Sequence, residues 1–349
     1  MAQKKKQDPG ANYRDEVRRL REAGPERLYV LCGEEAYLCE QFLAELKKIC
    51  LPGGEDDFSF RRFDGASMEL HALEEAVDAV PFLTDRTLIE VRGYDTNKLG
   101  EADAKRFLAI TADLPDYCTL VLVMDAFYAL DGRLKVTKAL QKQGRVLCFQ
   151  GQNSDVLVKW VAKRFAALQK RITVQDAEYL ILITGGLMNR MIPEIEKVGA
   201  FASGEAVTRA DIDAVVQKVP DAVVFEMTDL IAERRSDAVM QKLAELLSDK
   251  NNDPIALLAA VGNQMRRLYA AKCAQAERLS TADLMELCGV RYDFIARKLQ
   301  QSARGYSMRR LERAVELCAE TDYAMKRSGT DNAALLKELL LRLLAEAEA

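Results

Sequence analysis

Apolar residues in the first 150 positions alternate between short continuous runs and positions three or four residues apart. Continuous runs predict buried strands, and the wider spacing predicts helices between them. The predicted strands are Arg27–Gly33, Phe58–Phe63, Thr87–Val91, Thr119–Met124 and Val146–Gln150. The predicted helices are Glu35–Cys50, Leu70–Val80, Ala102–Leu114 and Arg133–Gln143. This alternation indicates an α/β domain, with a parallel sheet covered by helices on both faces.

Strand patterns largely disappear after Asp155, and helical spacing takes over. A small helical module is predicted from Leu157–Leu168, a helix beginning at Val174, Asn189–Phe201 and Thr208–Val216. The remainder is helical throughout, with a capping box at Ser280 and Asp283 and a helix cap at Ser307. We therefore expect a flexible tail (1–17), an α/β domain (18–151), a small helical domain (152–221) and an all-helical domain (222–349).

Composition and charge exclude several classes of protein. The net charge of −4 excludes a uniformly basic coat for nucleic acid. The N-terminus has no apolar core, and no apolar stretch approaches the ~20 residues that cross a bilayer, so we expect a cytoplasmic protein without a membrane partner. The eight cysteines form no CxxC pair, which predicts reduced, mostly buried thiols.

The junction after the first predicted strand lacks the features of a phosphate-binding loop. Such a loop needs glycines for close backbone approach, a lysine for the phosphates and a hydroxyl for magnesium. Gly33–Leu38 (GEEAYL) keeps one glycine, has no lysine and adds two glutamates. The full GxxxxGK[ST] pattern occurs nowhere in the chain. The sequence therefore predicts a nucleotide-hydrolase fold without its phosphate loop.

No other segment supplies a catalytic or metal-binding set, and we expect neither a cofactor nor a metal. Asp125 ends an apolar strand as a metal-binding aspartate would, but Ala126 follows where ATPases usually carry a catalytic glutamate. We therefore interpret Asp125 as a turn residue. His71, the only histidine, has no nucleophile beside it in the sequence and is interpreted as a surface residue.

Two segments have features of binding surfaces. In Pro81–Arg86 (PFLTDR), Phe82 and Leu83 either close the core between a helix and a strand or project as an apolar contact for a partner. Between Val261 and Arg313 there are eleven Lys/Arg and five Asp/Glu, so 11 − 5 gives +6. That stretch is either a solvated helical face or a surface for phosphates. The residues alone leave both questions open.

Several stretches together resemble one family, the delta subunit of the bacterial DNA polymerase III clamp loader. They are LYVLCGEEAYL at Leu28–Leu38, VPFLTDRTLIEV at Val80–Val91, Asp131–Leu134, Ile192–Lys197, Phe225–Met227 and Thr321–Lys326 before a Leu-rich helix. They occur in order from Leu28 to Leu344, nearly the whole chain.

The resemblance implies an AAA+-like module, a small helical lid domain and a helical collar domain within a five-subunit ring. It implies a subunit that binds the sliding clamp and holds its ring open for loading onto primed DNA, without hydrolysing ATP. Motor (tau/gamma) and delta-prime subunits would be its other partners. Polymerase activity would belong to the holoenzyme, since this subunit has no catalytic site of its own.

The resemblance also assigns candidate site residues. Phe82 and Leu83 match the apolar pair that enters the clamp's pocket, with Val80 beside them. The candidate DNA-facing residues are Arg266, Arg267, Lys272, Lys326 and Arg327. An active ATPase with a divergent loop and a stand-alone DNA-binding protein are the alternative functions.

Overall fold

The computed structural model describes residues 12–54, 58–81, 84–327, 329 and 331–346. Contacts divide the chain into two compact units, which we call unit 1 (Met1–Gly151) and unit 2 (Gln152–Ala349). The finer division of the second unit at residues 221 and 222 stays a prediction.

Unit 1 alternates strands and helices along the chain. Its helices are α1 (Tyr13–Ala23), α2 (Ala36–Cys50), α3 (Leu70–Asp78), α4 (Glu101–Ala112) and α5 (Lys135–Gln143). Its strands are β1 (Leu28–Cys32), β2 (Phe60–Asp64), β3 (Thr87–Arg92), β4 (Cys118–Val123) and β5 (Arg145–Cys148). All neighbouring strands pair in parallel, in the order β2-β3-β4-β1-β5. The predicted parallel α/β sheet is confirmed.

The centre of the sheet is apolar on both faces, as the continuous runs predict. Every residue of β1 and β4 is buried. Side chains from both faces of this sheet, such as Val30 and Leu31, are excluded from water because helices cover each side. Phe107 of α4 and Leu140 of α5 are also fully buried. The loops of unit 1 therefore extend from a sheet whose central strands are fully buried.

Helix α1 lies where the sequence predicted part of a flexible tail. The side chain of Asn12 accepts a hydrogen bond from the Arg14 N–H at 3.1 Å and caps the helix. Val17 and Leu20 bury the apolar stripe of α1, and Glu16 pairs with Arg145 of β5 at 2.6 Å. The tail prediction is wrong for Tyr13–Val17, because two apolar residues at helical spacing were enough to dock this charged segment.

Two cysteines depart from the prediction of reduced thiols. Cys32 and Cys148 are register partners at the ends of β1 and β5 and form a disulfide, with their Cα atoms 4.4 Å apart. They are 116 residues apart along the chain, so their spacing carries no signal of the pairing. Cys39, Cys50 and Cys118 are free and buried, as expected.

The described residues of unit 2 form helices and their connections, with one isolated bridge between Arg171 and Ala206. Its first helices are α6 (Ser154–Ala167), α7 (Val174–Thr184), α8 (Met188–Phe201) and α9 (Arg209–Val215). They are followed by α10 (Pro220–Ala232), α11 (Ser236–Ser248), α12 (Pro254–Glu277), α13 (Thr281–Cys288), α14 (Asp293–Ser302), α15 (Met308–Arg327) and α16 (Asn332–Ala345). The predicted small helical module and the helical remainder are both observed.

The caps and the core of unit 2 follow from its sequence pattern. The Ser280–Asp283 capping box forms before α13, as predicted. The Arg310 N–H donates to the Ser307 hydroxyl at 3.2 Å at the start of α15. Leu336, Leu339 and Leu340 of α16 are buried in the core of the bundle. In the described part of the chain, no helix is both long and apolar enough to cross a membrane.

Candidate functional site

The connection between β1 and α2 occupies the position of a phosphate loop but is too short to be one. Only Gly33, Glu34 and Glu35 separate the two elements. Gly33 has a φ of +120°, and a Cβ added there would lie 2.2 Å from the carbonyl oxygen of Phe149. The Glu35 N–H donates to that same oxygen at 3.1 Å. The backbone of Phe149 therefore lies directly against this connection.

The other residues considered for catalysis occupy ordinary surface positions. The Asp125 carbonyl accepts a hydrogen bond from the Tyr128 N–H at 3.0 Å, which is the geometry of a turn. His71 is exposed on α3 and lies 3.3 Å from Glu75, one helical turn away. Among the described residues, no three His, Cys, Asp or Glu side chains come close enough together to hold a metal ion.

The Pro81–Arg86 turn lies between α3 and β3. Phe82 and Leu83, the predicted apolar pair, fall outside the described residues. Val80, the third residue of that prediction, is 74% exposed. Within the turn, Thr84 shares a hydrogen bond of 2.5 Å with the hydroxyl of Ser59 and donates to the Arg86 carbonyl at 3.1 Å. On one side of the Phe82–Leu83 pair, Val80 is therefore exposed. On the other side, Thr84 is held by hydrogen bonds.

This turn and the degenerate loop lie at opposite edges of the sheet. All strands run in parallel, so residues that precede strands share one edge, which we call the amino edge. Thr84 precedes β3 and Ser59 precedes β2, whereas Gly33 follows β1 and Phe149 follows β5. The predicted partner-binding turn thus lies at the edge away from the degenerate loop.

One buried charge cluster was not apparent in the sequence. Glu90 of β3 is fully buried; Lys47 lies 2.7 Å and Arg62 3.2 Å from its carboxylate, and Arg92 also bonds to it. Burial disfavours ionisation of Glu90, but hydrogen bonds from Lys47 and Arg92 outweigh it and lower its pKa. Arg92 is also paired with Glu40 at 2.6 Å. These cations are paired with carboxylates, and the pairs join α2 and β2 to β3.

Several cations of the basic stretch of unit 2 (261–313) donate hydrogen bonds to backbone carbonyls of the same unit. Arg267 donates to the Cys288 carbonyl at 3.2 Å, and Lys272 donates to the Ala303 carbonyl at 3.2 Å. Buried Arg310 donates to the Ile231 carbonyl at 2.8 Å. Counting charges along the sequence cannot reveal such carbonyl partners, and they favour a structural role for much of this stretch.

The other three candidate DNA-facing residues are exposed. Arg266 lies on α12, where it bonds to Asn263 one turn away. Lys326 pairs with Asp322 at 2.6 Å, and Arg327 lies over the ring of Tyr323, 5.0 Å from its centre. These three cations face solvent and bond only within their own helices in the contacts described.

Comparison with known proteins gives one consistent result. The family "DNA polymerase III, delta subunit" matches residues 29–150, and "DNA polymerase III delta subunit, C-terminal domain" matches residues 221–343. The chain is 25% identical over 332 residues to DNA polymerase III subunit delta of Bacillus subtilis (strain 168), covering 92% of this chain and 94% of the relative. It is 23% identical to a probable DNA polymerase III subunit delta of Aquifex aeolicus (strain VF5), covering 90% of each.

A solved structure shares the fold over the whole length. The Bacillus subtilis DNA clamp loader delta protein has a TM-score of 0.53 and 24% identity, covering 96% of this chain and all of that one. The parallel sheet with its helices and the helical second unit therefore belong to a known fold.

Proposed function

This chain belongs to the DNA polymerase III delta subunit family, and we propose that it binds the replicative sliding clamp and opens or holds open its ring for loading onto primed DNA. The two family matches together span most of the chain, and they include the Pro81–Arg86 turn. The motor and delta-prime subunits of a clamp loader would be its partners in the bacterial cytoplasm.

The observation that carries the proposal is the exposed apolar flank of the Pro81–Arg86 turn. Val80, two residues before Phe82, holds an apolar side chain 74% in solvent. Burying each of the two following side chains at an interface would contribute about 1.5–3 kcal/mol. Thr84 and Ser59 anchor the other flank, so the turn starts from a rigid base. A rigid support of this kind reduces the entropy lost on binding.

We expect the Phe82→Ala/Leu83→Ala protein to bind the organism's purified sliding clamp at least about tenfold more weakly than wild type, since tenfold corresponds to 1.4 kcal/mol. Equilibrium binding measured by biolayer interferometry provides the test. Phe201→Ala/Leu168→Ala is the matched control, because it removes one exposed phenylalanine and one exposed leucine from unit 2. Equal affinity of wild type and the Phe82/Leu83 variant would overturn the proposal.

Independence from ATP is the second part of the proposed function. A three-residue connection leaves no length to wrap around a polyphosphate, and Phe149 lies against its glycine. Glu35, the residue directly before α2, is itself fully buried. Anion binding at a helix N-terminus needs free N–H donors, and the Glu35 N–H is already bonded to Phe149.

We therefore expect no saturable binding of fluorescently labelled ATP, with magnesium, up to millimolar concentrations of the isolated chain. Because the proposed motor subunits carry ATP hydrolysis, adding them should restore ATP binding to the mixture and provides the positive control. Saturable binding to the isolated chain would instead favour an active ATPase with a divergent loop.

For DNA, the contacts of unit 2 favour a supporting role within the assembled loader. Arg267 and Lys272 are held by backbone carbonyls, whereas Arg266, Lys326 and Arg327 face solvent. We propose that the exposed three contact DNA phosphates when the helical units act as lid (152–221) and collar (222–349) of the ring. The C-terminal family match begins at residue 221, which supports that division.

A further inference from the structure

Two apolar side chains stand out by their exposure. Among the large apolar side chains that the described residues expose, Phe58 (80%) and Val80 (74%) have the largest exposed fractions. A single exposed apolar residue needs no explanation, but neighbouring ones commonly mark a surface that binds a partner. Their positions in unit 1 therefore matter.

Phe58 lies at the amino edge, beside the Pro81–Arg86 turn. Phe60 pairs with Leu88 in the register of β2 and β3, and the Leu88 N–H donates to the Ser59 carbonyl at 2.9 Å. The Ser59 hydroxyl shares the 2.5 Å hydrogen bond with Thr84. Phe58 therefore directly precedes Ser59, which bonds to Leu88 through its carbonyl and to Thr84 of the turn through its hydroxyl.

We propose that Phe58 is a second apolar contact to the sliding clamp, working beside the Phe82–Leu83 pair. This inference rests on the proposed function. Thr84 is part of the Pro81–Arg86 turn, and Phe58 directly precedes Ser59, whose hydroxyl bonds to Thr84. The side chain suits an apolar pocket or ledge on the clamp, because aromatic rings bury a large area at little cost in side-chain entropy.

Phe127 provides a matched control within the same unit. It is also an exposed phenylalanine (61%), but it follows β4 and so lies at the opposite edge of the sheet. A docking surface at the amino edge includes Phe58 and excludes Phe127. Replacing either residue by alanine removes a side chain that is mostly in solvent, so both variants should fold.

The test is equilibrium binding of four full-length proteins to the purified sliding clamp: wild type, Phe58→Ala, Phe127→Ala and Phe82→Ala/Leu83→Ala. We expect Phe58→Ala to weaken binding about tenfold and Phe127→Ala to change it less than about twofold, since burying one aromatic ring at an interface is worth at least that factor of ten. Circular dichroism melts check that each variant is folded.

The outcomes separate this inference from the proposed function. If wild type binds and the Phe82/Leu83 variant is weakened while Phe58→Ala binds like wild type, the role of Phe58 is wrong and the proposed function stands. If Phe58→Ala and Phe127→Ala weaken binding equally, the contact is not specific to the amino edge and the inference fails. If wild type does not bind the clamp, the proposed function itself fails.

Discussion

Gly33→Ala should destabilise unit 1 by about 3 kcal/mol or more. Backbone strain at a positive φ costs about 1–3 kcal/mol for a residue with a Cβ, and the clash with Phe149 adds to it. The new methyl carbon would lie 2.2 Å from a carbonyl oxygen and 2.8 Å from two further backbone atoms of Phe149. Both residues directly follow the last paired residues of β1 and β5, and the Phe149 N–H donates to the Cys32 carbonyl at 2.7 Å, so movement of either backbone strains that pairing. The glycine is thus explained by packing within the protein, without any phosphate.

Gly24→Ala separates the two causes. Gly24 has a φ of +78° and a ψ of 177°, which only glycine adopts readily, but nothing lies within 4 Å of the Cβ position, so only the backbone cost of about 1–3 kcal/mol applies. Hydrogen exchange measured by mass spectrometry during urea titration reports each unit by its own peptides. Trp160, the only tryptophan, lies in unit 2 and follows that unit by fluorescence. Equal losses for the two variants would disprove the steric explanation.

Glu90→Gln should cost unit 1 about 3 kcal/mol near neutral pH. Removing one partner of a buried ion pair costs about 3–5 kcal/mol, because the remaining charge stays buried. Lys47, with 12% of its side chain exposed, carries most of that cost. Arg62 and Arg92 are far more exposed and can be solvated, which lowers the expected loss. The same urea titration measures the free energy of unfolding.

Glu74→Gln is the matched control, since Glu74 pairs with Arg106 and both side chains are nearly half exposed. That surface pair should contribute no more than about 0.5 kcal/mol. A loss from Glu90→Gln as small as this would contradict the buried-cluster interpretation.

The contribution of Glu90 should also depend on pH with a defined sign. Its pKa is lowered in the folded protein, so the unfolded chain binds the proton more readily. The advantage of wild type over Glu90→Gln should be complete above the unfolded pKa of about 4.3 and shrink as the pH falls below it. An advantage that grew on acidification would contradict the lowered pKa.

Much of unit 1 could be predicted because its signals are local. Continuous apolar runs such as Thr119–Met124 correspond to central strands. The missing glycines and lysine after β1 are also visible in the sequence, and the structure has only three residues there. Ser280 and Asp283 act within one helical turn, so their capping box was readable directly. These features depend on neighbours in sequence, which the pattern contains.

The features that escaped prediction depend on residues far apart in the chain. In the sequence, Glu90 is one polar residue within a strand, because its partners Lys47 and Arg62 lie in other elements. Cys32 and Cys148 become neighbours only when β5 pairs with β1. Arg267 and Lys272 contribute to a positive count in sequence but are bound by carbonyls of the fold. Their partners are set by tertiary contacts that periodicity does not encode.

The two edges of the sheet are also far enough apart for substitutions at one to leave the other unchanged. A five-residue strand such as β1 spans about 17 Å at about 3.3 Å per residue. Gly33 follows a strand and Thr84 precedes one, so they are separated by at least about the length of a strand. Substitutions in the Phe58 and Pro81–Arg86 region should therefore leave the packing of Gly33 on Phe149 undisturbed.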